Sequence, residues 1–222
     1  MDFERARLNM IEQQIRTWEV LDPDVLDLLT VVRREDFVPP EHRTLAFTDT
    51  EIPLAPDGAA TGRTMLAPKL EARLLQSLAP RRHESVLEIG AGSGHMAALL
   101  AHRARDVATV DIDPDMQRMA ADNLARAGVT NARVQAGNGL DYARNARYDA
   151  IVLSGSVPFV PPELTEALAP GGGRLIAIVG VLPVMVARLI TRTAESSFAS
   201  VDLFETVVPP LEGFPQPPRF RF

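Results

Sequence analysis

The stretch Glu84-Ser-Val-Leu-Glu-Ile-Gly-Ala-Gly-Ser-Gly-His-Met96 decides the fold of this chain. Residues 85–89 form a short and mostly apolar run, which ends in three closely spaced glycines, Gly90, Gly92 and Gly94. A helical pattern follows directly and extends to residue 104. Glycine lets a backbone approach a ligand closely, and the N-terminus of a helix presents unpaired N–H groups. The stretch therefore predicts a buried strand that turns through glycines into a helix, the construction of a nucleotide-binding site.

The composition is that of an ordinary globular protein and argues against one large class of partner. The chain has 222 residues, enough for one domain with a sizeable core. Its formal net charge of −6 argues against nucleic acid as the main partner, because phosphate binding requires clustered lysine and arginine. The arginine pairs Arg33-Arg34 and Arg81-Arg82 stand near acidic residues and are predicted to be solvated surface.

The residue types also limit the chemistry and the location. The chain has no cysteine, which excludes disulfides and thiolate catalysis. Its four histidines have no spacing that a metal ion could use, so no metal site is predicted. The N-terminus is charged from its second residue, and no apolar stretch approaches the ~20 residues of a membrane span. These patterns predict a cytoplasmic protein.

The first 80 residues predict a helical cap followed by a loop. Apolar side chains share one helical face over residues 3–18, and a second amphipathic helix follows Asp22-Pro23, an N-cap with a first-turn proline. Residues 37–64 are interrupted by proline and glycine, which predicts an irregular segment, and irregular segments of this length are often functional. A third helix is predicted from Pro68 to about residue 80.

From residue 81 onward, strand-like and helix-like patterns alternate, which is typical of a doubly wound parallel α/β sheet. Parallel strands are predicted at 85–89, 107–112, 132–135, 148–153 and 174–179. Helices are predicted at 95–104, from Asp113-Pro114 to Gly128, and near 162–168. Residues 184–193 and 200–208 predict an antiparallel edge pair, and residues 209–222 an extended tail. We thus expect a cap with an active-site loop (1–80) and an α/β domain (81–222), together in one compact unit.

The residues around the glycines distinguish between two classes of ligand. A dinucleotide fingerprint requires a third glycine where His95 stands, and the bulky side chain argues against it. S-adenosylmethionine instead needs one acid for its ammonium group and another for its ribose hydroxyls. Glu88 and Asp111 stand at the ends of the first two predicted parallel strands, where these acids are needed, whereas Asp113 before Pro114 suits a helix N-cap better. The pattern favours S-adenosylmethionine.

Two further polar positions have alternative interpretations. Gly137-Asn-Gly139 follows the third predicted parallel strand, where the adenine ring is expected. Asn138 could pair with the ring, although an Asn-Gly turn without a ligand role explains the residues nearly as well. His95 is predicted to be a packing or capping residue more readily than a catalyst.

Short motifs spread along most of the chain form an ordered series. They are Asn9-Met-Ile-Glu-Gln-Gln-Ile15, Arg34-Glu-Asp-Phe-Val-Pro39, Ala46-Phe-Thr-Asp-Thr50, Thr64-Met-Leu-Ala-Pro68, the glycine loop Val86–Gly94, Gly137-Asn-Gly139, Leu168-Ala-Pro-Gly-Gly172 and Val207-Val-Pro-Pro-Leu211. In this order they resemble the protein-L-isoaspartate O-methyltransferase family. The glycine loop alone indicates a methyltransferase, and the motifs of the cap make the resemblance specific. The resemblance implies a Rossmann-like methyltransferase sheet of seven strands with added N-terminal helices.

Members of that family methylate the abnormal α-carboxylate of isoaspartyl residues in damaged proteins, and they convert S-adenosylmethionine to S-adenosylhomocysteine. The resemblance implies that the acceptor carboxylate lies near Arg63, Thr64 and the position of Leu66. It implies cofactor contacts from Met65, Glu88, Gly90, Ala91, Gly92, Gly94, Asp111, Ile112, Gly137, Asn138, Gly139 and Ser154. The family usually has Thr-Ile-Ser where this chain has Thr64-Met65-Leu66, and an aromatic residue where this chain has His95.

Four functional hypotheses follow from these residues. The first is a carboxyl methyltransferase of isoaspartyl proteins, acting as a monomer or weak dimer, in which Thr64, Arg63 and the backbone N–H groups around residues 61–66 hold the acceptor. The second is a methyltransferase of another acceptor, for which Leu66 forms an apolar pocket. If Leu66 instead packs in the core, the acceptor site is elsewhere in the loop. A cofactor-binding protein without catalysis is the third, and an NAD-dependent oxidoreductase, which His95 disfavours, is the last.

Overall fold

The N-terminal part of the chain is helical, as predicted, but its first helix changes pitch. The computed structural model describes residues 2–54 and 63–216. Helix α1 (Phe3–Met10) continues as a π-helical turn at Ile11–Ile15 and a 3-10 turn at Arg16–Trp18. Helix α2 (Pro23–Val31) begins as predicted, because the Asp22 side chain accepts a hydrogen bond from the backbone N–H of Asp24. The predicted helix over residues 3–18 is thus three consecutive helical segments.

The predicted irregular segment contains short ordered elements. Two 3-10 turns, Arg34–Asp36 and Pro40–Leu45, precede the two-residue strand β1 (Ile52–Pro53). Strand β1 pairs antiparallel with β2 (Thr64–Met65). The remainder of the predicted segment, residues 55–62, lies outside the described residues. Helix α3 (Pro68–Leu78) then runs as predicted and ends at Ala79, which has a left-handed conformation with φ of 47°.

One seven-stranded sheet forms the centre of the fold. Its strands are β3 (Ser85–Ile89), β4 (Asp106–Asp111), β5 (Ala132–Ala136), β6 (Ala150–Val157), β7 (Arg174–Val181), β8 (Val184–Ala194) and β9 (Ser197–Thr206). The strand order is β5-β4-β3-β6-β7-β8-β9. Strands β3 to β7 are parallel, and β8 and β9 add antiparallel at the edge. The predicted sheet with an antiparallel edge pair is confirmed.

Four helices follow individual strands of this sheet. They are α4 (His95–Arg103), α5 (Pro114–Arg126), α6 (Gly139–Asn145) and α7 (Pro162–Glu166). Asp113 caps α5 as predicted, because its carboxylate accepts a hydrogen bond of 2.8 Å from the backbone N–H of Asp115. Helix α6 was not predicted, because Gly137-Asn-Gly139 indicates a turn. That turn is present, and the Asn138 side chain also caps the helix that follows it.

The two faces of the sheet carry different helices. Val86 in β3 belongs to an apolar cluster with the N-terminal helices, α3, α4 and α5. The next residue, Leu87, points to the opposite face and packs in a second cluster with α6 and α7. This alternation follows from the two-residue period of a strand. The predicted doubly wound α/β architecture with an N-terminal helical cap is therefore confirmed, and the first cluster joins the cap to the sheet.

After β9 the chain returns across the carboxyl ends of the parallel strands. The backbone N–H of Ser156 donates to Pro209 O over 2.9 Å, and the N–H of Leu211 donates to Ser156 O over 2.8 Å. Residues 209–214, called the returning segment below, thus lie on the same edge of the sheet as the glycine loop. The predicted extended tail agrees with these bonds, and residues 217–222 lie outside the described part of the chain.

Candidate active site

The glycine loop connects β3 to α4 with a backbone that suits glycine. Gly90, Gly92 and Gly94 have φ values of 95°, 49° and 82°, a conformation that side chains with a Cβ rarely adopt. A Cβ atom at Gly90 would lie 2.8 Å from Cδ2 of Leu211, in the returning segment. One at Gly94 would lie 3.1 Å from the backbone of Ala120 in α5. The predicted turn through glycines is therefore present and closely covered.

Asp111 is directly bonded to this loop. It is the last residue of β4, and its carboxylate accepts hydrogen bonds of 3.0 Å from the backbone N–H groups of Gly92 and Asp113. Strands β3 and β4 are neighbours, so the strand-end acid predicted from the sequence reaches the glycines. Ile112 follows at the same edge and is 41% exposed. The structure thus places an anion and an apolar side chain beside the loop.

Glu88 is fully buried in the central strand of the site. Its carboxyl group accepts hydrogen bonds from the hydroxyls of Thr109 (2.7 Å) and Ser154 (2.8 Å). Burial raises the pKa of Glu88 from 4.5 to about 8, although both hydroxyls lower it, and the carboxylates of Glu71 and Asp111 raise it further. A cation beside Glu88 would favour its ionised form. The structure therefore prepares a buried acid for a positively charged partner.

Gly137, Asn138 and Gly139 lie at the same edge, between β5 and α6. The Asn138 side chain accepts a hydrogen bond from Leu140 N and donates one to Gly213 O, each over 3.0 Å. It thus has a structural role in capping α6 and fixing the returning segment. Gly139 packs closely against the sheet, because a Cβ there would lie 2.5 Å from the side chain of Ile89.

The three residues predicted to hold the acceptor, Arg63, Thr64 and Leu66, differ in their contacts and in their burial. Arg63 donates from Nε to Asp113 Oδ2 over 2.7 Å and lies 3.0 Å from Glu212 Oε2, so two carboxylates balance its charge. The Thr64 hydroxyl donates to Glu51 Oε2 over 2.9 Å. Leu66 is only 4% exposed and packs in the core, beside Met65. The apolar side chain at position 66 therefore contributes mainly to the core.

A small cavity of about 30 Å³ brings the predicted cofactor and acceptor residues together. It is lined by Leu54, Thr64, Met65, Leu66, Glu71, Glu88, Gly90, Ala91, Gly92, Ser93, His95, Met96 and Ser154. A larger groove of about 790 Å³ lies between residues 35–43 and α5. Neither the glycine loop nor residues 63–66 line that groove, so it is separate from the site.

A buried charged network beside the cavity was not predicted. Arg34 was expected on the solvated surface, and this is wrong: it is 2% exposed, pairs with Glu71, and donates to Leu66 O over 2.6 Å. Burial by itself would raise the pKa of Glu71, but His95 and Arg34 together hold it below its ordinary value. His95 Nδ1 lies 2.9 Å from Glu71 Oε2. The sequence contained a sign that Glu71 is buried, because position 71 shares a helical face with the apolar residues Leu75 and Leu78.

Within residues 2–54 and 63–216, none of the helices has the length and apolar character that crossing a membrane requires. The same part of the chain has no group of three histidine or acidic side chains that could hold a metal ion. The site consists of a glycine loop, buried carboxyl groups and hydroxyls.

The sheet order and this site define the class of protein. The protein is a Rossmann-like methyltransferase. Its parallel sheet has an antiparallel edge pair, a glycine turn follows the central strand, and acids stand in β3 and β4. The family model for protein-L-isoaspartate(D-aspartate) O-methyltransferase (PCMT) matches residues 5–212. The chain belongs to this family, and the resemblance predicted from its motifs is confirmed.

Individual relatives agree with this assignment. The protein-L-isoaspartate O-methyltransferase of Methanoculleus marisnigri is 41% identical over 177 residues, which cover 79% of this chain and 78% of that protein. The Aeropyrum pernix protein of the same name is 33% identical over 216 residues, 95% of this chain and 81% of its own length. A putative Plasmodium falciparum member, solved with S-adenosyl-L-homocysteine, has a TM-score of 0.76 at 19% identity and covers 93% of this chain and 98% of that chain. It shows the likeness of fold.

Proposed function

We propose that this protein is an S-adenosylmethionine-dependent methyltransferase that esterifies the α-carboxylate of L-isoaspartyl residues in damaged proteins. The observation that carries the proposal is the arrangement around the glycine loop. Asp111 accepts a hydrogen bond from Gly92 N, and the buried Glu88 lies in the adjacent strand. Membership of the family supports the isoaspartyl acceptor. S-adenosylhomocysteine is the expected product.

The residues of the site fit the charged and polar groups of the cofactor. Glu88 would receive the ammonium group, which stabilises the ionised form that burial disfavours. Asp111 would accept from the ribose hydroxyls. The backbone of Gly90, Ala91 and Gly92, with Gly94 behind it, would let the ligand approach closely. The remaining proposed contacts are Met65, Ile112, Gly137, Asn138, Gly139 and Ser154.

The chain's own task in the reaction is to position the acceptor and to exclude water. The bound cofactor supplies a methyl group on a sulfonium. A carboxyl group with a pKa near ~4 is already ionised at neutral pH, so the acceptor needs no general base. Holding two reactants in line can contribute roughly 7–11 kcal/mol. The small cavity lined by Glu88 and Thr64 supports this role, because it joins the two halves of the site.

The acceptor carboxylate is proposed to bind Thr64, the neighbouring backbone N–H groups and Arg63. The part of this proposal that concerns residues 61 and 62 lies outside the described residues. Leu66 packs in the core and also lines the small cavity, where its side chain has no group that could hydrogen-bond a carboxylate. The loop of residues 63–65 thus remains the proposed acceptor site.

Several finer proposals come from the sequence. We expect a monomer or weak dimer in the cytoplasm, without nucleic acid as a partner, as the net charge of −6 indicates. We also expect the cap (1–80) and the α/β domain (81–222) to act as one unit. The apolar cluster that includes Met10, Leu75 and Val152 supports this, because it joins the cap to the sheet.

The test is methyl transfer to two synthetic peptides that differ only in an isoaspartyl or an aspartyl residue. We expect base-labile methyl ester on the isoaspartyl peptide alone. The Asp111→Asn variant should lower cofactor affinity, and it serves as the matched control for cofactor dependence. Cofactor binding without transfer to the isoaspartyl peptide refutes the acceptor. If transfer appears only in Leu66→Ser, the wild-type chain is not an isoaspartyl methyltransferase.

A further inference from the structure

His95 is a buried titratable side chain for which the proposed reaction has so far no use. It is 2% exposed and is the first residue of α4, immediately after the glycine loop. Its ring packs edge-on against Phe37, with the ring centroids 5.3 Å apart. Nδ1 contacts Glu71, whereas Nε2 has no hydrogen-bond partner among the residues that the structure describes. Buried polar atoms are almost always paired, so Nε2 is a candidate to bind a ligand.

The neighbours of His95 fix which ring nitrogen is available. Glu71 is buried, and its pKa lies below the ordinary value, because His95 and Arg34 outweigh the effect of burial. It is therefore an anion that accepts from Nδ1–H of His95. Arg34 holds the same carboxylate from the other side. These contacts leave Nε2 as the nitrogen that can meet a ligand.

The cavity beside His95 is lined by a basic side chain, that of His95, and by an acidic one, that of Glu88. His95 and Glu88 both line this space of about 30 Å³, together with Ser93 and the glycine loop. Such a volume holds a polar group of a few atoms. The ammonium and carboxylate groups of an α-amino acid are attached to one carbon atom. A ligand whose ammonium group reaches Glu88 therefore brings its carboxylate into the same space.

We propose that His95 binds the α-carboxylate of the amino-acid group of S-adenosylmethionine as an imidazolium, with Nδ1–H donating to Glu71 and Nε2–H donating to the ligand. The inference rests on the proposed function, in which Glu88 receives the ammonium group of the same ligand. His95 is then a binding residue, and Glu71 and Arg34 are positioning residues that orient its ring. Charge-assisted hydrogen bonds of this kind are among the stronger ones in proteins. The site thus recognises both charges of the amino-acid group.

The test compares S-adenosylmethionine with decarboxylated S-adenosylmethionine, which lacks only the α-carboxylate, by isothermal titration calorimetry. His95→Gln and His95→Phe should weaken binding of S-adenosylmethionine roughly ten- to hundredfold, as expected for loss of a hydrogen bond to a charged group. Binding of the decarboxylated ligand should change by less than about threefold, since it has no group for Nε2 to meet. His102→Gln, at an exposed position in the same helix, is the matched control and should bind both ligands like the wild type.

Equal losses for both ligands, or unchanged binding of S-adenosylmethionine, overturn the inference. A second measurement uses the wild type alone, in case the variants do not fold. In nitrogen NMR of histidine-labelled protein, S-adenosylmethionine should shift the Nε2 signal of His95 and the decarboxylated ligand should not; equal shifts refute the contact. A wild type that binds neither ligand overturns the proposed function as well. If the wild type methylates the isoaspartyl peptide but the His95 variants show no loss specific to S-adenosylmethionine, the role of His95 is disproved and the proposed function stands.

Discussion

Arg34 donates a hydrogen bond of 2.6 Å from Nη2 to the backbone carbonyl of Leu66. Its Nε donates to Ala46 O over 3.0 Å, and its Nη1 contacts Glu71. One buried guanidinium thus joins the cap, helix α3 and the segment that precedes it. The position of residues 64–66 beside the glycine loop therefore depends on an ion pair in the interior.

Replacing Arg34 should be costly for stability. In Arg34→Met, Glu71 would stay buried without its arginine, and breaking a buried pair in this way costs roughly 3–5 kcal/mol. Urea unfolding followed by circular dichroism measures the change. Arg33→Met is the matched control, because that side chain is 58% exposed, and it should cost less than about 1 kcal/mol. Similar losses in both variants would contradict the role given to Arg34.

The free energy of unfolding should fall as pH rises, because of Glu88. Its pKa is about 8 in the folded protein, with 4.5 as its ordinary value. The folded state therefore binds this proton more tightly, so the contribution is complete below pH 4.5 and is lost as pH rises to about 8. The shift corresponds to at most about 5 kcal/mol. Urea unfolding across this pH range measures it.

Glu88→Gln provides the comparison for that pH dependence. The variant lacks the titrating group, so its stability should fall less than that of the wild type between acidic and mildly alkaline pH. Glu166→Gln, at an exposed position, should keep the slope of the wild type. Parallel curves for wild type and Glu88→Gln would show that Glu88 titrates normally.

Cofactor binding should release a proton from Glu88. The ammonium group would favour the ionised form of the Glu88 carboxyl group, whereas burial and the carboxylates of Glu71 and Asp111 disfavour it. The hydroxyls of Thr109 and Ser154 donate to Glu88, and His95 lines the same cavity. Affinity should therefore rise with pH between acidic and neutral pH, where the ammonium group of the ligand keeps its proton. Calorimetry near neutral pH, in buffers of different ionisation enthalpy, measures the released proton. Glu88→Gln should release none by this route, and equal release would locate the proton elsewhere.

The contact between Gly139 and Ile89 should appear as coupling between two substitutions. Gly139→Ala would place a Cβ 2.5 Å from the Ile89 side chain, and such overpacking costs roughly 1–3 kcal/mol. Ile89→Ala alone should cost roughly 2–5 kcal/mol, because it leaves a cavity. The double variant should lose at least about 1 kcal/mol less than the sum, since the first substitution fills space that the second one opens. Additive losses in thermal unfolding would mean that the helix shifts away instead.

The parts of the site that the sequence predicted are local in the chain. The strand, the glycine turn and helix α4 are consecutive, and Asp113 before Pro114 is a cap that short-range chemistry specifies. The role of Asp111 was predicted from its place at the end of the second predicted parallel strand. These features need no knowledge of distant partners.

The parts that were missed depend on partners far along the chain. Arg34 is hydrophilic, and its burial is made possible by its pairing with Glu71 on another helix and by its hydrogen bonds to two backbone carbonyls. Helix α6 was hidden because Asn138 serves both a turn and a cap, and short-range patterns show only the turn. The burial of Leu66 is likewise set by the elements packed around it, since its neighbours in sequence do not distinguish core from pocket.

The returning segment also sets the order in which the site can form during synthesis. Leu211 covers Gly90, and Gly213 accepts the hydrogen bond of Asn138, yet both residues are translated after all seven strands of the sheet. A nascent chain that has released β9 from the ribosome still has an uncovered glycine loop. The cofactor edge is therefore completed only when the segment after β9 emerges, and ribosome-bound intermediates should acquire their sheet before their full affinity for the cofactor.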